Sequence, residues 1–159
     1  SKNPTYVRLD KSQQQSIYNK NETFENSFKI FKNGSKNCII STGVMVHKSL
    51  HVIKELRKNN LKIDLIDLLK IKPLEEKRLL KILSKYNKIF VIDENTFSGG
   101  ISSILSEIFV KNFFKKKINF FCLKNTQDVG NYGNREWLHK RNKIDVKNLI
   151  KKIHKLSNG

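Results

Sequence analysis

Short β-rich runs alternate with longer segments of helical periodicity along most of the chain, and no other feature restricts the fold as strongly. In the helical segments, apolar residues recur every three or four positions with charged residues between them. Strands are predicted at 27–32, 37–42, 61–67, 88–93 and 118–123, and helices at 44–59, 74–86, 101–114 and 145–156. Because parallel strands need crossover connections, this alternation predicts a three-layer α/β/α domain with a mostly parallel sheet.

The first 26 residues differ in pattern from the rest and predict a division of the chain into three parts. Residues 4–9 alternate and are β-rich, so we expect 1–10 to be the remnant of a preceding domain. Residues 11–26 are polar and predict a linker, and the domain itself is expected to span 27–159. Its first two strands are joined by the turn signal Asn33-Gly34, so they would be antiparallel if they are neighbours in the sheet.

The chain is strongly basic, with a net charge of +18 from 32 lysines and arginines against 14 acidic residues. A charge of this size is typical of proteins that bind polyanions such as nucleic acid. The lysines are, however, spread along the whole chain, and the densest run, Lys115 to Lys117, separates a predicted helix from a predicted strand. This distribution favours a solvated surface, with a basic nucleic-acid-binding domain left open as an alternative.

Membrane, secretory and disulfide signals are all missing from the sequence. No apolar run approaches the roughly 18 to 20 residues that span a bilayer, and the polar first ten residues lack the apolar core of a signal peptide. Cys38 and Cys122 each lie inside an apolar run, which favours buried thiols over a disulfide. We therefore expect a soluble, cytoplasmic protein.

The candidate site residues lie in the loops that follow the predicted strands, because ligands and partners of open α/β sheets bind there. No Gly-x-x-x-x-Gly-Lys or Gly-x-Gly-x-x-Gly motif occurs, so nucleotide binding is not predicted. His47 and His51 are one helical turn apart but lack the glutamate and the third ligand of a zinc site. We predict no metal site and no catalytic residue. The loop or interface candidates are Thr42, Gly43, Asp93, Glu94, Gly99 and Gly100.

A series of short motifs follows a fixed order between residues 37 and 123. A strand ending in Ser41-Thr42-Gly43 precedes a helix, and Ile71-Lys72-Pro73-Leu74, Val91-Ile92-Asp93-Glu94 and Gly99-Gly100 follow in turn. In order and spacing they resemble the C-terminal domain of transketolases, 1-deoxyxylulose-5-phosphate synthases and the beta subunits of 2-oxo acid dehydrogenases. The resemblance implies a five-stranded sheet with one antiparallel strand. The run PTYVRLD at 4–10 resembles the last strand of the pyrimidine-binding domain that precedes this one in the family.

The resemblance implies a structural and dimerisation role at the C-terminus of a thiamine diphosphate-dependent enzyme. That enzyme would perform ketol transfer on sugar phosphates or related 2-oxo substrates. Thiamine diphosphate and Mg²⁺ would be bound by other domains, so this chain would bind no cofactor and would not be catalytic in isolation. Its partners would be the cofactor-binding domains or subunit, and the full enzyme would be a homodimer. Arg8 matches the arginine that contacts substrate phosphate in some members, a task that suits a bidentate guanidinium.

Other interpretations stay open at this point. Arg8 is equally compatible with an ordinary surface charge. The whole chain is also compatible with a stand-alone assembly module, which would expose an apolar patch on the loops at the strand ends.

Overall fold

The computed structural model describes residues 3–124 and 132–158, which form five strands and five helices. The strands are β1 (Phe28–Phe31), β2 (Asn37–Ser41), β3 (Asp64–Leu68), β4 (Lys88–Thr96) and β5 (Lys117–Leu123). The helices are α1 (Val44–Lys58), α2 (Glu76–Leu83), α3 (Ile101–Lys111), α4 (Arg135–Arg141) and α5 (Val146–Asn158). The α/β architecture predicted from the alternation is confirmed.

The five strands form a single sheet in the order β1-β3-β2-β4-β5. β2 pairs in parallel with both β3 and β4, and β4 pairs in parallel with β5. β1 runs antiparallel to β3, with Phe28 opposite Leu68 and Phe31 opposite Leu65. The single antiparallel strand implied by the family resemblance is therefore confirmed, and it lies at one edge of the sheet.

The Asn33-Gly34 turn does not connect neighbouring strands, because β3 lies between β1 and β2. Gly34 takes a φ of 70°, a left-handed conformation that glycine adopts without steric cost. Asp64 of β3 holds the turn, since its Oδ1 accepts hydrogen bonds from the backbone nitrogens of Asn33 (2.8 Å) and Ser35 (3.2 Å). The turn thus passes over the end of β3, which lies between β1 and β2. Because β1 and β2 are not neighbours in the sheet, they do not form the antiparallel pair that the turn signal would otherwise predict.

Two hydrophobic cores lie on opposite faces of the sheet, because successive residues of a strand point to opposite faces. In β2, Ile39 belongs to the core shared with α1 and α5, whereas Ile40 belongs to the core shared with α2 and α3. Both side chains are fully buried. A strand that is covered on both faces has to be apolar throughout. This is why the apolar residues of β2 follow one another in the sequence without alternating polar positions.

The two cysteines are free thiols, with Cys38 buried and Cys122 partly buried. Burial raises the pKa of both thiols above the ordinary range, so neither is activated as a nucleophile. Over 3–124 and 132–158, no helix has both the length and the apolar character needed to span a bilayer.

The parallel strands all end along one side of the sheet, which we call the carboxyl edge. β4 continues to Thr96, three residues beyond its predicted end, and its pairing with β5 becomes irregular between Ile92 and Thr96. Asp93 and Glu94 therefore lie in an irregular part of the ladder, where side chains can be aimed away from the sheet.

Candidate functional site

The segment before β1 borders two clefts at the carboxyl edge. The arginine cleft has a volume of about 1050 Å³ and is lined by residues of 8–12 together with Glu94, Asn95, Asn134 and Arg135. The linker cleft, of about 610 Å³, lies between the segment 10–18, the start of α1 and the end of β3. Residues 11–26, predicted to be a linker, include Ile17, which packs against the core beneath α1 and α5.

Arg8, the predicted phosphate-contacting residue, is exposed and lines the arginine cleft. Within residues 3–124 and 132–158 its side chain has no hydrogen-bond, ion-pair or ring partner. The described part of the chain therefore leaves all five N–H donors of its guanidinium available to a ligand that enters the cleft.

Arg135, the first residue of α4, links the N-terminal segment to β4. Its Nη1 donates to Asp10 Oδ1 and to Ser12 Oγ, both at 3.2 Å, and its Nη2 donates to Asp10 Oδ2. Its Nε lies 3.1 Å from Glu94 Oε2. Hydrogen bonds from Arg135, and then from Ser12, hold the pKa of the Asp10 carboxyl well below its usual range. One guanidinium therefore joins two ionised carboxylates that are far apart in sequence.

Behind Glu94 lies His139 of α4, whose side chain is only 1% exposed. Its Nε2 is 3.6 Å from Glu94 Oε2, and its Nδ1 is 2.6 Å from the Nζ of Lys48 on α1. Because a lysine ammonium can only donate, we assign Nδ1 as the acceptor and place the ring proton on Nε2, facing Glu94. Contact with His139 lowers the pKa of the Glu94 carboxyl against the effect of burial, and the charge of Arg135 lowers it further.

Asp93 is buried and fixes the loop between β4 and α3. Its Oδ1 accepts hydrogen bonds from the backbone nitrogen (3.0 Å) and side-chain amide (3.1 Å) of Asn95. Its Oδ2 accepts from the backbone nitrogen (3.3 Å) and hydroxyl (3.4 Å) of Ser102, in the first turn of α3. A Cβ on Gly100 would lie 2.2 Å from this Oδ2, so the loop needs glycine at that position. Gly99 takes a φ of 85°, a left-handed conformation that glycine also favours.

The linker cleft brings together the candidates at the end of β2. The Thr42 hydroxyl donates to the backbone oxygen of Leu68 (2.8 Å), which ties the ends of β2 and β3, and Gly43 has a φ of 56°. Tyr18 reaches across the cleft and donates its hydroxyl to Asp67. Burial raises the pKa of the Asp67 carboxyl, and the hydrogen bond from Tyr18 opposes that rise.

Asp67→Asn should remove a pH dependence from the stability of the domain. A carboxyl whose pKa is raised on folding binds its proton more tightly in the folded state, so its favourable contribution is present below the ordinary value of 3.8. That contribution is lost as the pH rises through the raised folded pKa. The free energy of unfolding in urea, measured for both proteins between about pH 4 and 7, should therefore fall with pH more steeply in the wild type. If the free energies of unfolding of the two proteins differ by the same amount at every pH in that range, the pKa of Asp67 is not raised by burial.

The described residues do not form a cluster of side chains suited to a metal ion such as Mg²⁺. Within 3–124 and 132–158, no group of three or more His, Cys, Asp or Glu side chains is arranged to hold a metal ion. The carboxylates of Asp67, Asp93 and Glu94 each contact protein donors. What the carboxyl edge does offer is one unpaired guanidinium and a set of side chains that fix the surrounding loops.

The chain is similar in sequence to several known proteins. A family model described as transketolase, C-terminal domain, matches residues 27–148. The 1-deoxy-D-xylulose-5-phosphate synthase of Fusobacterium nucleatum is 29% identical over 156 residues, which cover 98% of this chain and 26% of that protein. A putative transketolase C-terminal section of Methanocaldococcus jannaschii is 27% identical over 157 residues, covering 96% of this chain and 48% of that protein.

One solved structure is described as a split gene transketolase in an inactive β4 tetramer, and it shares this fold. Its TM-score is 0.75 at 17% sequence identity, over 89% of this chain and 46% of that chain. The present chain spans between about a quarter and a half of the length of these relatives.

Proposed function

This chain belongs to the transketolase C-terminal domain family, and we propose that it completes and dimerises a thiamine diphosphate-dependent enzyme. The reaction of that enzyme is ketol transfer on sugar phosphates or related 2-oxo substrates. Thiamine diphosphate and Mg²⁺ are bound by domains that these residues do not include. The chain contributes to assembly and substrate binding, and the chemical step takes place outside it.

One observation carries this proposal: the segment that resembles the last strand of a pyrimidine-binding domain has no regular secondary structure and is exposed. Tyr6, Val7 and Leu9 are 88%, 69% and 83% exposed, and residues 4–10 do not pair with the five-stranded sheet. A β-rich segment that lies outside the sheet of its own domain and exposes apolar side chains is suited to addition at the edge of another sheet. The pyrimidine-binding domain of the enzyme provides that sheet.

Arg8 would take its functional position when this segment becomes a strand. Side chains alternate across a strand, so Val7 and Leu9 would share one face and Arg8 would lie on the other. A core that covers Val7 and Leu9 therefore leaves the guanidinium free to bind a substrate phosphate through two parallel hydrogen bonds. This arrangement supports a sugar phosphate as the substrate.

The proposal predicts that this chain assembles with the cofactor-binding domains supplied as a separate protein. Size-exclusion chromatography with light scattering should detect the complex, and the mixture should catalyse ketol transfer that neither protein performs alone. Replacing Val7 and Leu9 together with serine should abolish the complex, since the added strand loses its apolar face. Replacing Val110 and Phe113 with serine is the control, because these side chains are 76% and 85% exposed but lie on and just after α3.

The proposal would be contradicted by a chain that remains monomeric and forms no complex with the cofactor-binding domains. If that chain also shifts labelled nucleic acid at physiological salt, its basic surface would be interpreted as a nucleic-acid interface.

A further inference from the structure

We propose that Arg135 is a positioning residue, which clamps the Arg8-bearing segment to the end of β4 and so sets where Arg8 meets a phosphate-bearing substrate. The clamp consists of Asp10, Arg135 and Glu94, and it is a property of this chain alone. Only its consequence for Arg8 rests on the proposed function.

The geometry of the clamp fixes both the distance and the direction of the segment. Asp10 lies two residues after Arg8, and both of its carboxylate oxygens accept hydrogen bonds from Arg135. A bidentate pair of this kind restricts orientation, which a single point contact does not. Arg135 also donates to Ser12 Oγ at 3.2 Å, so the clamp fixes residue 12 as well as residue 10.

The other side of the clamp is anchored in the folded domain. Glu94 belongs to β4 and contacts His139, which is buried at 1% exposure. His139 in turn contacts Lys48, whose side chain is 8% exposed and which also pairs with Glu136 at 3.0 Å. α1, α4 and β4 therefore each contribute a side chain behind Arg135, and the exposed segment is held against a rigid support.

The clamp also separates the roles of the two arginines in the arginine cleft. Two carboxylates engage the guanidinium of Arg135, whereas Arg8 has no partner within the described ranges. Without Arg135, the charges of Asp10 and Glu94 would be uncompensated beside Arg8. They would repel a phosphate and compete with it for Arg8. Arg135 thus keeps Arg8 free for a ligand without binding that ligand itself.

The clamp can be tested in this chain by the mobility of its N-terminal segment. Arg135→Gln removes the clamp, and Arg57→Gln is the matched control, since it makes the same charge change at an exposed position of α1. The side chains of Asp10 and Arg135 are 35% and 36% exposed, so the pair adds little to global stability and the variant should fold. Heteronuclear NOE values for residues 8–12 should fall in Arg135→Gln and stay at wild-type levels in Arg57→Gln.

A salt titration gives a second, independent readout of the clamp. Exposed ion pairs are screened by salt, so the wild-type segment should become more mobile as the salt concentration rises. The segment of Arg135→Gln should not respond. A segment that is as ordered in Arg135→Gln as in the wild type, or that is already mobile in the wild type at low salt, would overturn the clamp.

The consequence for Arg8 is tested in the assembled enzyme by kinetics. Arg135→Gln should raise KM for a sugar phosphate about tenfold, because the uncompensated carboxylates of Asp10 and Glu94 then compete with the phosphate for Arg8, and should change kcat much less. In an Arg8→Gln background the same substitution should have no further effect on KM. An equal effect in both backgrounds would overturn the positioning role. An ordered segment in a chain that never forms an active enzyme would overturn the proposed function but leave the clamp in place.

Discussion

Replacing Gly100 with alanine should destabilise the domain by about 3 kcal/mol or more, because the new methyl group has no room. Its Cβ would lie 2.2 Å from Asp93 Oδ2 and 2.8 Å from the backbone oxygen of Thr96. Asp93 cannot turn aside without losing its hydrogen bonds to Asn95 and Ser102, and a buried donor left unpaired costs about 1 to 3 kcal/mol. Urea or thermal unfolding of the two proteins measures the difference.

The neighbouring glycine provides the control for this prediction. A Cβ on Gly99 would meet nothing within 4 Å, and its cost arises only from a φ of 85°. Gly99→Ala should therefore destabilise by about 1 to 2 kcal/mol. The effects of Gly100→Ala and Asp93→Ala should also be less than additive, since removing the carboxylate removes one of the two clashes. Equal destabilisation by the two glycine substitutions would show that the contact with Asp93 is unimportant.

Arg8→Gln should raise KM for a sugar phosphate by about 10- to 100-fold in the assembled enzyme. The variant loses charge-assisted hydrogen bonds worth about 1.5 to 3 kcal/mol, and every 1.4 kcal/mol is about a tenfold change in affinity. Initial rates over a range of substrate concentrations separate the effects on KM and kcat. A substrate analogue without the phosphate should show no difference between Arg8→Gln and the wild type.

Lys11→Gln is the control for Arg8, since Lys11 is a second exposed cation of the arginine cleft. Its substitution should change KM by a small factor, because a flexible ammonium cannot form the bidentate contact. If Lys11→Gln and Arg8→Gln weaken substrate binding equally, a diffuse positive field rather than a specific arginine would explain the affinity. Arg8 would then be an ordinary surface charge.

The elements of the fold were predictable from the sequence because their signals are local. The apolar run that contains Ile39 and Ile40, with buried neighbours on both sides, predicts a strand covered on both faces. The periodicity between Val46 and Leu56 predicts a helix with one buried face, and the structure has that helix.

The order of the strands was not predictable in the same way. Asn33-Gly34 predicts a tight turn, but no local signal states whether a third strand lies between the two that it joins. In the structure, the carboxylate of Asp64 on β3 holds the turn, although Asp64 lies about 30 residues further along the chain. This contact places β3 between the two strands that the turn joins. Pairing of this kind depends on contacts between distant segments, which periodicity does not encode.

The clamp at the candidate site was not predictable either. Arg135 and Asp10 are 125 positions apart, and no local sequence pattern links them. His139 lies between Leu138 and Lys140 in the sequence, a local pattern that does not indicate burial, yet its ring is almost fully buried. Asp93 was among the loop or interface candidates of the sequence, but its hydrogen bonds to Asn95 and Ser102 could not be read from the sequence.

The position of β3 has a consequence for the order in which the nascent chain can fold as it leaves the ribosome. When β1 and β2 first emerge, neither has its partner, because β3 pairs with both and is synthesised later. The Asn33-Gly34 turn would favour a hairpin between them during this interval, and that hairpin would have to open before β3 could insert. A pause in translation after β3 has emerged from the ribosome would therefore promote correct folding, whereas a pause while β3 is still inside it would prolong the lifetime of the wrong pairing.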